Sequence, residues 1–507
     1  MTTTHQAAFG QFFTPKHIAD FMVKQISHDK NNQILEPSSG EGVFLDALQE
    51  QQFNNITAYE IDPNLIQHSY VINESFLNCP TQPTFDVVIG NPPYVRWKNL
   101  NSVAKEELAH NLLWQNHFNS LCDYLYIFIL KSILLLKDNG ELIFICPDYW
   151  FSTKYAQTLR QFMLQHGGFE TIIRFQEANI FKKVNSSITI FKYRKTQNKP
   201  KFIKIIQLNK RLKVDEQLLN QLETHSDVET FEIEQFNNEK NWLFAPNHIQ
   251  KQLNIFEQKC PITIQEICDI GNGMVSGLDK AFQINQFERC THLEQNSSIQ
   301  VAKAKDLQPF SIQKVSHYIF VENQLNEQEF YQQYPNFYQH LLPYREQLNN
   351  RYSYNKTIPF WEWSFLRNYQ LFSRNERKIL VPCKERITHK NYFRFALVDT
   401  NIYPTQDVTA LFKKENVKEN LEYIVAYLNQ PAIFEWLKYK GVIKGGIVEF
   451  SEKPLASIPF RPIDWHNAEE VLLHEKITQA VQNYQQDNES KHLQYIQNYF
   501  QQLGISS

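Results

Sequence analysis

The stretch Phe85-Asp86-Val87-Val88-Ile89-Gly90-Asn91-Pro92-Pro93-Tyr94 decides how the first half of the chain is read. Val87, Val88 and Ile89 are consecutive and β-branched, the pattern of a parallel strand covered on both faces. The strand stops at Gly90. Pro92 and Pro93 have φ fixed, donate no backbone hydrogen bond and push their predecessors out of helical space. A buried strand therefore runs into a stiff, extended corner that presents one carboxamide and one phenol ring.

Outward from that corner, strands and helices alternate. Thr14-Pro15 opens an amphipathic helix carrying Ile18, Phe21, Met22 and Ile26, with the threonine as cap and the proline in the first turn. Strands are expected at 34–35, 57–61, 87–89, 140–146, 171–175 and 187–193, and helices over 43–48, 64–70, 124–136 and 159–164. This order implies an α/β fold, a doubly wound sheet with its ligand at the carboxyl ends of the strands.

Two strand ends carry ligand chemistry. Glu36-Pro37-Ser38-Ser39-Gly40-Glu41-Gly42 is a glycine loop with acids and no cation. It matches neither the dinucleotide nor the phosphate-loop pattern, and its charge suits a ligand bearing positive charge. In Tyr59-Glu60-Ile61-Asp62 the acid after the second strand can accept both hydroxyls of a ribose. Together they favour an adenosine ligand with a cationic part and no phosphates, which S-adenosyl-L-methionine fits. The corner then has a task. The amino group of adenine is a weak nucleophile because its lone pair is delocalised into the ring. The Asn91 carboxamide oxygen and the Pro92 carbonyl can each accept one amino hydrogen and localise that lone pair. This is positioning and electrostatic catalysis, which needs rigidity. Tyr94 would stack on the base, which a duplex must first flip out.

The 507 residues are more than one core usually organises, so two domains are expected, 1–243 catalytic and 244–507 for recognition. Hydrophobic residues make up 42%, and the net charge of −3 gives no reason by itself to expect nucleic-acid binding. Seven cysteines without C-x-x-C spacing exclude a zinc ribbon and fit a reduced, cytoplasmic setting; no metal is expected. MTTTHQAAFGQFF has no basic start followed by an apolar run, so no signal peptide is expected. The apolar stretch 124–136 is too short to span a bilayer and contains Lys131.

Residues 199–240 read as a polar bridge with a strand-like KFIKIIQL, and 468–503 as a helical pair with Leu472, Leu473, Ile477 and Val481 on one face. Between Tyr344 and Arg394, eleven Lys/Arg stand against four Asp/Glu with aromatics interleaved, the composition of a nucleic-acid surface. Arg345, Arg351, Arg367, Arg374 and Arg377, with the pair Trp361 and Trp363, are the DNA-binding candidates. The alternative for this stretch is a solvated basic face over an aromatic core.

The ordered motifs FFTPKHIADFMVKQI, LEPSSGEGVF, YEIDP, NESFL, FDVVIGNPPY, LYIFILKSILLLKDNGELIFICPDYWF and IFKKVNSSITIFKY cover roughly residues 9–195. In this order they resemble the gamma-class DNA N6-adenine methyltransferases, the TaqI type of type II restriction-modification systems. The resemblance implies a Rossmann-like S-adenosyl-L-methionine-dependent catalytic domain followed by a mixed α+β target-recognition domain. It implies that Thr14 and Glu36 line the methionine pocket, that Gly40 and Gly42 form its floor, and that Glu60 holds the ribose. Ile61 and Phe76 would flank the cofactor ring, with Asn91 and Pro93 also facing the cofactor. Asn91, Pro92 and Tyr94 would hold the target base, and Phe181 would pack on its other side. Ser75 departs from the pattern, which usually has Asp there, accepting from the cofactor's exocyclic amine. GMVSGLDKAF, from Gly273, Tyr427-Leu428-Asn429 and LASIP, from Leu455, resemble landmarks of TaqI-type recognition domains. The implied partners are double-stranded DNA and a separate restriction endonuclease, and the expected state is a monomer. An RNA or protein-glutamine N-methyltransferase, which shares NPPY, is the alternative.

Overall fold

The chain's structure is a computed structural model, and it describes residues 12–178, 180–181, 187–240, 242–322, 324–352, 356–387, 390–444 and 446–505. Eight strands form the main sheet of the first half: β1 (Ile34–Glu36), β2 (Ile56–Ala58), β3 (Phe85–Gly90), β4 (Leu136–Pro147), β5 (Gly167–Arg174), β6 (Ile188–Lys195), β7 (Phe202–Leu208) and β8 (Val228–Glu234). Their order is β2-β1-β3-β4-β6-β5-β7-β8. The first four run parallel; β6 is antiparallel to both of its neighbours, β4 and β5.

The β-branched run of β3 explains why the sheet is covered twice. Val87 and Ile89 point into one core with Ile143 and Ile145, beneath helices Lys16–Val23 and Val43–Glu50. Val88 points into the other with Leu142 and Phe144, beneath helix Leu125–Leu135. All three strand residues are fully buried, as successive side chains on a strand with two covered faces must be.

Three expectations are corrected. Residues 199–240 are no bridge: β7 and β8 complete the sheet, because Ile203, Ile205, Ile206 and Ile233 are buried in its cores. The expected helix over 64–70 is a single 3-10 turn, Pro63–Leu65, which buries no residue and so has no packing to extend it. Thr14 does not cap its helix; the N-cap is Pro15, without a side-chain cap.

The chain divides between Ile249 and Gln250 into two compact units. In the second, a four-stranded antiparallel sheet orders Cys268–Asn272, Val408–Lys413, Lys378–Pro382 and Ala396–Val398. The fold is thus an α/β sheet unit followed by a mixed α+β unit. Helices Ala468–Asp487 and Ser490–Gln502 form the expected pair, turned at Asn488 with φ 57°. Leu473, Ile477 and Val481 are buried at four-residue spacing, but Leu472 is off that face and 49% exposed. Among the described residues, no helix is long and apolar enough to cross a membrane.

Candidate active site

Because β1, β2 and β3 are parallel, their carboxyl ends share one edge of the sheet. Glu36 closes β1, Glu60 lies just beyond β2 and Asn91 just beyond β3. The loop after β1 needs glycine at two points. Gly40 (φ 54°) and Gly42 (φ 86°) are both left-handed, and a Cβ at Gly42 would lie 2.7 Å from the His68 ring. Freed of a side chain, Gly40 donates its N–H to Glu60 Oε2 at 2.8 Å, and the Asp62 N–H reaches Glu60 Oε1 at 2.9 Å. Burial raises the Glu60 pKa, and these two N–H groups oppose the rise.

Glu36 is the most isolated charge in this region. It is 1% exposed, and both carboxylate oxygens lack a hydrogen-bond partner among the described residues. Burial first, then the nearby Glu60 and Asp46, push its pKa well above the usual value. A buried carboxylate without a partner is costly as an anion, and an arriving cation relieves that cost.

The corner is held from the N-terminal side. Asn91 Nδ2 donates to the Phe12 carbonyl at 2.7 Å and to Thr14 Oγ1 at 3.1 Å, while Ser38 Oγ donates to the Asn91 carbonyl at 3.2 Å. Fixing both amide protons assigns the other terminal atom as oxygen, and this Oδ1 is buried without a partner among the described residues. Thr14 thus orients the carboxamide. The Tyr94 ring stacks on Phe12, centroids 4.8 Å apart and planes 1° apart, and Phe12 lies 6.2 Å from Phe181. The Phe12 ring therefore contacts both rings assigned to the target base. Phe181 is 4% exposed; of its motif NIFKKVNSS, residues 179 and 182–186 lie outside the described residues.

Gly40, Glu60, Ile61, Ser75, Phe76, Asn91 and Pro93 line one cavity of about 490 Å³. Thr14, Glu36 and Gly42 are not in its lining, and Pro92 is buried. Ile61 is 48% exposed and Phe76 2%, so one wall is open and the other anchored. The anchor has visible causes. The Ser75 hydroxyl accepts from the Leu77 N–H at 3.2 Å, capping the turn Phe76–Asn78, and buried Lys131 donates to the Leu77 carbonyl at 2.5 Å. Desolvation lowers the Lys131 pKa to about 8. Asn73 Nδ2, bonded to the Glu60 carbonyl at 2.9 Å, ties this turn to the end of β2. Sequence reasoning missed Phe12, Asn101, Glu107 and Tyr124 of this region. The one local signal was Asn101, which caps helix Ser102–His110 by accepting from the Ala104 N–H at 2.8 Å.

The DNA-binding candidates of the second unit are more thoroughly engaged, and three are corrected. Trp361 and Trp363 are 5% and 6% exposed. Trp361 stacks on Phe330, and Trp363 donates its indole N–H to the Ile319 carbonyl. Both are core residues and offer no face to a base. The Arg351 guanidinium donates to the carbonyls of Pro359, Phe360 and Glu362, and burial lowers its pKa to about 10. It braces a loop. Arg367 donates to the Gly273 carbonyl at 2.8 Å. Arg345, Arg374 and Arg377 pair with Glu327, Asp269 and Glu422 but keep about two-fifths of their side chains exposed.

The Eco57I restriction-modification methylase family matches residues 23–181. The type II methyltransferase M.HindII of Haemophilus influenzae (strain ATCC 51907 / DSM 11121 / KW20 / Rd) is 50% identical over 521 residues, covering 100% of this chain and 99% of the relative. M.HincII of Haemophilus influenzae is 49% identical over 506 residues, with the same coverage. Among solved structures, the type IIL restriction-modification enzyme MmeI in complex with DNA superposes with a TM-score of 0.64 at 12% identity, over 100% of this chain and 78% of that one, a likeness of fold. The end-to-end identity to two such enzymes, over a sheet unit whose corner and acidic loop have just been described, places the chain among the type II restriction-modification methyltransferases.

Proposed function

We propose that this methyltransferase moves a methyl group from S-adenosyl-L-methionine to N6 of an adenine flipped out of duplex DNA, as the protective half of a type II system. The observation that carries the reading is the Asn91 carboxamide: its nitrogen is tied to Phe12 and Thr14, and its oxygen is buried and has no partner among the described residues. An acceptor held in this way suits an exocyclic amine.

The residues fit the cofactor. Glu36, buried and without a partner among the described residues, offers a counter-charge for the amino acid part. Glu60 keeps acceptor lone pairs for a ribose, and Ile61 and Phe76 supply walls for a flat ring. When bound, S-adenosyl-L-methionine supplies a methyl group on a sulfonium leaving group. Asn91 Oδ1 and the Pro92 carbonyl would accept the two amino hydrogens of adenine and draw the nitrogen toward tetrahedral geometry, localising its lone pair for alkylation, and one of those hydrogens would leave as a proton once the nitrogen carries the methyl group. Tyr94 and Phe181 hold the base, which takes the place of the Phe12 ring. The rigid diproline keeps the acceptors in place.

The second unit carries target recognition in this reading, through Arg345, Arg374 and Arg377 rather than the buried tryptophans. A separate endonuclease cutting the same site is the implied partner. The test is methyl transfer from radiolabelled S-adenosyl-L-methionine to duplex DNA, followed by hydrolysis and identification of the labelled nucleoside. Labelled N6-methyladenine is expected. Label in N4-methylcytosine would overturn the choice of base, and label only in RNA or in protein glutamine would overturn the choice of polymer.

A further inference from the structure

The cavity bounded by Ile61 and Phe76 has an acidic side chain that the reaction outlined above does not use. Glu107 lines it, presented by the capped helix Ser102–His110. Among the described residues, its one hydrogen-bond partner is Tyr124, whose hydroxyl donates to Glu107 Oε2 at 3.4 Å. Tyr124 lines the same cavity as Ser75, which immediately precedes the ring wall Phe76. Tyr124 also packs edge-on against Phe128, which packs on Phe76. A short chain of contacts therefore leads from the wall of the ring slot to a carboxylate.

A purine held between Ile61 and Phe76 turns its ribose toward Glu60 and needs a partner for the substituent on its six-membered ring. Ser75 is a poor one. Its short side chain is held by the turn it caps, where its oxygen already accepts from the Leu77 N–H at 3.2 Å. Glu107 is an acceptor with no proton to give when ionised. Such a group favours a 6-amino substituent and opposes a 6-oxo one, whose oxygen would face it unpaired.

We infer that Glu107, set in place by Tyr124, accepts a hydrogen bond from the exocyclic amine of the cofactor's purine and so makes the site select adenosine over inosine. This rests on the cofactor reading above. The assignment concerns binding alone and calls for no bond to be made or broken.

The test compares S-adenosylhomocysteine with S-inosylhomocysteine, its 6-oxo counterpart, by calorimetric titration of the full chain. The wild type should prefer the adenosine ligand by about 10- to 100-fold, the range of a hydrogen bond to a charged group. Glu107→Gln should narrow the ratio, because a carboxamide can donate to the 6-oxo group. Glu107→Ala should weaken the adenosine ligand about 10-fold or more and leave the inosine ligand no weaker, because the variant removes both the acceptor for the amine and the group that opposes the 6-oxo oxygen. An unchanged ratio in both variants, with tight S-adenosylhomocysteine binding throughout, would overturn the role of Glu107 and leave the cofactor reading standing. Failure of the wild type to bind either ligand would take down the cofactor reading and the inference with it. Unchanged circular dichroism and melting of both variants would show that the fold is intact.

Discussion

Aromatic rings and polar side chains crowd two regions of this molecule, the corner at Asn91 and the basic stretch after Tyr344, and the two put them to opposite uses. At the corner, Tyr94 and Phe181 are bridged by the ring of Phe12. Around them the Glu36 carboxylate, Asn91 Oδ1 and the Tyr94 hydroxyl are buried without partners among the described residues. In the basic stretch, Trp361 and Trp363 are packed among Phe330, Phe320 and Tyr318, and Arg351 gives two of its three guanidinium nitrogens to three backbone carbonyls; Arg351 Nε, Trp361 Nε1 and Glu385 Oε2 are buried without partners among the described residues, but none of them lines the cavity beside Asn91. An unpartnered buried polar group costs free energy that packing must offset, so one on a residue that lines a cavity, as Asn91 does, marks a place where something else can bind. A guanidinium spent on its own backbone marks a place built to stay folded.

The widest expected effect that could break this contrast is on the second region. Trp363→Ala should lower unfolding stability by about 3–5 kcal/mol, as removal of a core tryptophan does, measured by urea denaturation. Unchanged stability together with lost DNA binding would return Trp363 to the recognition surface.

Asn91→Ala should lower the single-turnover methylation rate by about 10²–10³-fold, the scale for losing one preorganised hydrogen-bonding group, while calorimetric affinity for S-adenosylhomocysteine changes little. Equal losses of rate and affinity would make Asn91 a cofactor ligand instead.

Glu36 sharpens the comparison through pH. Its folded pKa is raised above the ordinary 4.5, first by burial and then by Glu60 and Asp46. A raised folded value means that the folded protein holds the proton more tightly than the unfolded chain. The resulting stabilisation is fully present below 4.5 and is lost as pH rises through the folded value. Glu36→Gln should therefore melt above the wild type at pH 8 without ligand, with the gap closing toward pH 4.5. The same variant should bind S-adenosylmethionine about 10-fold more weakly, having lost the charge that meets the cation. Parallel melting curves across that range would remove Glu36 as a buried titrating group.

The smallest effect concerns Phe12. A target base must break its stack on Tyr94, a contact of about 0.5–1.5 kcal/mol. Phe12→Ala should raise the fraction of flipped 2-aminopurine at the target position two- to tenfold by that scale, read as fluorescence on DNA binding. A decrease would make Phe12 a wall of the base site rather than its occupant.

Motif reading reached far into the first unit because its chemistry is local. A β-branched run followed by two prolines makes a strand and a corner whatever surrounds it, and glycines at 40 and 42 mark a loop whose backbone a ligand can approach closely. The alternation of elements was enough for an α/β sheet, and the motif order was enough for the methyltransferase family. Reading by composition misplaced the two tryptophans of the second unit for a physical reason. Charge and aromaticity count residues but say nothing of which way they face, and Trp361 and Trp363 turned inward.

The sequence by itself determined the strand ends, the acidic glycine loop and the stiff corner, since each follows from backbone restrictions of a few adjacent residues. Only the tertiary structure decided how they serve one another. That Thr14 orients Asn91 instead of capping its own helix, that Phe12 lies against Tyr94, and that Glu107 reaches the ring slot through Tyr124 are contacts between distant segments. No local preference encodes such contacts; they arise when the parallel strands bring their carboxyl ends to one edge and the segments around that edge pack together.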